Sequence, residues 1–153
     1  MLFLLRLFYN FIMSENFVWI SFSLLSALFA SLVAIFGKIG IQGIDSTLAT
    51  TIRAVIMAVF LVFVSLSLGK FSLFNQISGR PFLFIILAGV SGALSWLFYF
   101  CALKLGPVKG VASLDRLSVA FAIILAATFL GEHLVFKNIV GLVLLVIGSL
   151  LLL

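Results

Sequence analysis

Nine Lys/Arg and four Asp/Glu are all the acidic and strongly basic side chains in this 153-residue chain, so a charge inside an apolar stretch stands out. Arg53 lies within the apolar stretch 46–68, and Asp115 and Arg116 are adjacent in the first half of the stretch 108–130. A guanidinium at such a depth holds a carboxylate or phosphate, or pairs with an acid, for which Asp115 is the nearest candidate. Trp96 and Tyr99 are three positions apart and therefore share a helix face. That face can stack on a ring or hold a cation; packing against helices or lipid is the alternative. Glu132 follows Gly131 and precedes His133, with Lys137 nearby. Its carboxylate suits a proton carrier, a gate, or an ordinary solvated loop acid. With one histidine and one cysteine, Cys101, the chain lacks a Ser-His-Asp or Cys-His grouping, a disulfide framework and a metal-ligand cluster. It also lacks a Gly-rich phosphate loop, so no enzyme chemistry and no cofactor is expected.

The elements that position these residues follow from composition. The chain is 65% hydrophobic and 8% charged, against about 25% charged in an ordinary soluble domain. That is too little polar surface for a soluble globular protein, and too apolar for a disordered one. The net charge of +5 is spread along the sequence without a basic stripe, which argues against a nucleic-acid partner. An all-α integral membrane protein remains. A bilayer core about 30 Å thick takes about 20 apolar residues as helix, and backbone in lipid must satisfy its own hydrogen bonds. Five runs qualify as transmembrane helices: 17–37, 46–68, 82–103, 108–130 and 134–153.

Turn and cap signals separate the runs. Asp45, Ser46 and Thr47 offer N-cap oxygens to the second. Gly69-Lys70 ends it, and Pro81 suits the first turn of the third. Gly106-Pro107 and Gly131-Glu132-His133 mark the later breaks. The fourth helix starts near Val108, or near Ser113 if Asp115 and Arg116 are interfacial. Small residues spaced by four (Ser23/Ala27/Ser31, Ser26/Ala30/Ala34, Ser118/Ala122/Ala126, Ala88/Gly92, Gly89/Ala93) predict close helix packing. Residues 1–16 form an N-terminal extension to the domain 17–153. It reads as an interfacial segment, as part of a signal peptide that lacks a small-residue cleavage site, or as sequence upstream of a true start at Met13.

Five crossings put the termini on opposite sides. One side holds Arg6, Lys70, Arg80 and Lys137, and the other holds Lys38, Lys104 and Lys109. The positive-inside rule therefore selects no orientation, which fits either misplaced helix limits or a chain that inserts both ways up. Asp45, Arg53, Lys104, Lys109, Asp115 and Arg116 gather towards the second side as a cationic mouth that favours anionic or zwitterionic solutes.

From Gly92 to the end of the chain, the "ALKLGPVKGVAS" connection, the fourth run ending in "FLGE" and the Gly-spaced last run resemble the C-terminal part of an EamA domain of the drug/metabolite transporter superfamily. "GKIGIQGIDSTLATTIRA", from Gly37, is similar to that family's first loop and second helix. The resemblance spans 17–153. It implies one five-helix repeat, half of a ten-helix inverted-repeat transporter, completed by an antiparallel homodimer in the cell inner (plasma) membrane. It implies transport of small metabolites by alternating access, and marks Glu132 as the acid of the family's "LGE" pattern, a gate or structural acid. The four-helix multidrug relatives carry a glutamate inside helix one; this chain has no acid there, so their proton coupling is not carried over. The expected cavity lies between helices one to four, with Arg53, Trp96, Tyr99, Asp115 and Arg116 as lining candidates. A non-transporting membrane subunit packed on a larger complex is the alternative.

Overall fold

Hydropathy, caps and glycines divide the chain into helices in the computed structural model, which describes residues 15–77 and 79–153. Most of the expected extension, 1–14, lies outside the described residues. The elements are α1 (Glu15–Gly40), α2 (Ser46–Ser67), a 3-10 helix (Lys70–Gln76), α3 (Arg80–Leu105), α4 (Val108–Asp115), α5 (Leu117–Phe129) and α6 (Phe136–Leu151), with no strand among the described residues. By length and composition four segments can cross a membrane: Val18–Gly40, Ser46–Ser67, Arg80–Leu105 and Val108–Phe129. Phe136–Leu151 is apolar but shorter. The chain is a multi-pass membrane protein.

The chain divides into two units, Met1–Phe36 and Gly37–Leu153. In the first, α1 carries no charge between Glu15 and Lys38. Its serines satisfy themselves along the helix, Ser23 donating to the carbonyl of Trp19 at 2.8 Å and Ser31 to that of Leu28 at 2.7 Å. Such back-bonding lets a hydroxyl sit in an apolar environment.

Local chemistry sets the ends of the helices in the second unit. Asp45 caps α2, its carboxylate accepting from the backbone N–H groups of Thr47 (2.9 Å) and Leu48 (3.0 Å), so orphan donors of the first turn are satisfied. Pro81 stands in the first turn of α3. Gly69 and Gly79, with φ of 66° and 69°, bracket the 3-10 helix; this left-handed backbone favours glycine. That connection is not irregular chain throughout. Instead Phe71, Leu73 and Phe74 form with Ser65, Lys70 and Ile77 a shallow hollow beside the end of α2.

The fourth run begins at Val108, the first of the two expected starts, but it is two helices, α4 and α5, separated at Arg116. Ser113 Oγ donates to the carbonyl of Lys109 at 2.6 Å, a bond that tends to bend helices. Backbone pairing then tightens from i+4 to i+3: Arg116 N–H donates to Ser113 and Val119 N–H to Arg116. α4 packs on α6, where Ser113 and Ser149 are buried and Gly110 passes the Leu153 side chain.

Burial is concentrated where the C-terminal end of α1, the start of α2 and the end of α3 meet. Ile41, Ser46, Thr50, Phe100 and Leu103 are buried there. Elsewhere most large apolar side chains are exposed, which fits a lipid surround rather than water. Within the second unit the small-residue stripes are open in part: Ser118 and Ala122 are exposed, and a Cβ at Gly89 or Gly92 would meet nothing within 4 Å.

Candidate functional site

α2 and α3 run against each other, and a lateral groove of about 750 Å³ opens between them. Helical spacing puts Thr50, Arg53, Ala54, Met57, Ala58 and Leu61 along one wall. The α3 wall carries Trp96 and the glycines and alanines between Ala88 and Ala93. The groove is graded: hydroxyls, a guanidinium and an indole stand at the end near the α2 N-terminus, and apolar groups line the rest.

Arg53 is half-buried, and its guanidinium carbon lies 3.7 Å from the centroid of the Trp96 ring and 5.6 Å from that of Phe100. Tyr99 stands edge-on to Trp96 at 5.4 Å and 78°, and Phe100 meets Trp96 at 6.1 Å and 61°. Three rings four positions apart or fewer thus form a cluster capped by one cation. The quadrupole of the indole face attracts a guanidinium more strongly as water is excluded. Stacking uses the faces of the guanidinium and leaves its in-plane N–H donors available. Among the described residues Arg53 has no ion pair with Asp115.

The expected residues separate into two groups. Arg53 and Trp96 line the groove, and Tyr99 touches Trp96 from outside the groove wall. Asp115 and Arg116 are at the α4–α5 break and do not line it, although their charges reach the Tyr99 phenol. Glu132 is exposed. Its backbone N–H donates to the carbonyl of Ala126 at 3.3 Å, after Gly131 turns the chain with φ of 68°, which closes the end of α5. Thr47, Thr50 and Thr51 were missed as groove residues, as was Phe100 beneath Arg53. Counting threes and fours back from Arg53 along "STLATTIRA" would have found Thr50.

The cationic mouth is also changed by the contacts. Lys38 Nζ donates to the carbonyls of Leu103 and, at 2.8 Å, Gly106, closing the C-terminal end of α3. Lys104 Nζ donates to the carbonyl of Ile44 at 3.0 Å. Lys104 of the expected mouth is therefore a tie to the connection after α1, and Lys38, on the same side, ties the last turn of α1 to the end of α3. Beside them, Ser46 Oγ lies 3.4 Å from Cys101 Sγ.

The family model for the EamA-like transporter family matches residues 17–153. This chain belongs to the EamA-like transporter family. It is 41% identical over 134 residues to an uncharacterized transporter in the cobO 3' region of Sinorhizobium sp., covering 88% of this chain and 95% of that relative. No solved structure matches. The family and the relative point to membrane transport of a small solute rather than to catalysis.

Proposed function

We propose that this chain is a five-span half-transporter of the inner membrane. It pairs antiparallel with a second copy and moves small anionic or zwitterionic metabolites by alternating access. The observation that carries the reading is Arg53, held on Trp96 in the wall of an open groove within a spanning segment. A charge at the centre of a spanning helix costs about 2.5–3.5 kcal/mol on insertion scales, and such a residue without an acid partner suits a solute. Arg53 holds the solute's carboxylate or phosphate, Trp96 and Tyr99 contact its apolar part, Asp115 and Arg116 act at the break in the fourth span, and Glu132 serves as a gate or structural acid.

Two further observations support pairing. The loops are almost evenly charged, and the exposed small residues Ser118 and Ala122 on α5, outside the groove, allow a second helix to approach closely. Helix ends and breaks near a midplane site are common in inverted-repeat transporters.

The test is flux into liposomes, comparing the wild type with Arg53→Ala across amino acids and organic acids. The expected result is uptake of at least one solute that falls more than tenfold in the variant. Equal flux for every solute removes Arg53 from the site, and no flux in either protein favours the non-transporting subunit.

A further inference from the structure

We propose that the groove between α2 and α3 is a binding site for a soluble amphipathic monocarboxylate, with its carboxylate on Arg53 and its apolar tail running towards Leu61. The proposal rests on the transport reading and names the class of solute.

Charge excludes most alternatives. Among the described residues the groove wall holds one charged residue, Arg53, and no acid. A carboxylate can take two parallel N–H bonds from the guanidinium edge, which stacking on Trp96 leaves free and fixes in plane. An ammonium group would find no counter-charge. Thr50 and Thr51 have already donated their protons, to the carbonyls of Ser46 at 2.8 Å and Thr47 at 2.9 Å. A second anionic group would likewise find no cation on the walls. The head is therefore singly negative.

Shape and polarity supply the rest. Leu61 is eight positions beyond Arg53, about 12 Å along the helix axis. Over that length the lining alternates larger apolar side chains such as Met57 and Leu94 with Ala54, Ala58, Gly89 and Gly92, all without a charge. These side chains leave width for an alkyl or aryl tail and offer it no polar partner. A hydrophilic anion would leave this length unfilled, and an uncharged tail would leave Arg53 unused. Head and tail on one molecule match the grading of the walls.

The experiment uses Trp19→Phe protein in nanodiscs of zwitterionic lipid, with Trp96 as the fluorescent reporter. Octanoate is titrated against octanol, octylammonium and acetate. The expected result is a saturable change with octanoate, at a concentration at least tenfold below that needed for the other three. Arg53→Ala removes it, and Arg53→Lys weakens it. Gly89→Leu, built into open space, removes the octanoate response while leaving the Arg53–Trp96 stack and its baseline emission. An equal response to octanol or octylammonium would overturn the proposal in favour of an unselective apolar surface. An equal response to acetate would reduce it to a plain anion site. Loss of the response when phosphatidylglycerol is added to the nanodisc would make the occupant a bilayer lipid. Saturable octanoate binding without flux sinks the transport reading and keeps this one. Flux without octanoate binding or competition does the reverse.

Discussion

Arg53 survives at membrane depth because its cost is offset locally. A desolvated cation–π contact contributes about 2 kcal/mol or more, comparable with the insertion cost of about 2.5–3.5 kcal/mol. Trp96→Leu removes the ring face and is expected to lower stability by about 2 kcal/mol, read as an earlier midpoint in a denaturant titration in micelles. At Asp45 the carboxylate accepts from the backbone N–H of Leu48, the largest effect, and then of Thr47, with Lys104 nearby; burial opposes these, and the net result is a pKa below the usual carboxylate value. A lowered folded-state pKa adds stability above the unfolded value of about 3.9 and loses it as pH falls through the folded value. Unfolding of α2 by acid is therefore expected to begin below about pH 4. Asp45→Asn should flatten that dependence in circular dichroism, and Asp45→Ala should also lower the midpoint at neutral pH. Both Asp45 and Arg53 were legible in the sequence, because a cap and an intramembrane charge are set by near neighbours. That Arg53 stacks on Trp96 instead of pairing with Asp115 was not, because their sequence positions say nothing about which faces of α2 and α3 meet.

Among the elements, the apolar runs and their ends were legible from residue type. Pro81 marks the first turn of α3, and Gly131 ends α5 through its left-handed φ. The break at Arg116 was not, since no Gly or Pro stands beside it; the local feature there is Ser113, whose hydroxyl bonds back to the Lys109 carbonyl. The 3-10 helix was hidden for a related reason: Phe71, Leu73 and Phe74 follow no helical or strand period long enough to register. The stripes on α3 misled because small residues permit close approach without supplying the partner. One close approach does occur, at the C-terminal end of α1, where a Cβ on Gly37 would lie 3.2 Å from Phe100 Cζ. Gly37→Leu is expected to cost about 1–3 kcal/mol through overpacking, and to disturb Phe100 and with it the ring cluster under Arg53. Its signature is a lower thermal midpoint with a shifted Trp96 emission, whereas Gly40→Leu, which faces open space, should change neither.

On the scale of the whole molecule, the proposed antiparallel pair requires copies inserted both ways up, and Lys/Arg placement is the lever on that ratio. Fusing reporters to the C-terminus is expected to give signal on both membrane faces; signal on one face alone would leave parallel assembly or the subunit reading. Lys38 separates the two uses of one charge. Lys38→Gln removes the charge and keeps a donor, so the orientation ratio should move while the midpoint changes little. Lys38→Met removes both and should lower the midpoint as well, by about 1.5–3 kcal/mol for hydrogen bonds from a charged donor. The acceptors of Lys38 lie 65 and 68 positions further along the chain. A growing polypeptide delivers the end of α1 to the membrane before those carbonyls have been synthesised. While the first two helices choose their direction, Lys38 is thus a bare cation and its full charge bears on the choice; once α3 is complete, the same ammonium is sealed against a helix end. The order of synthesis lets one side chain be a signal early in the protein's life and a fastener afterwards.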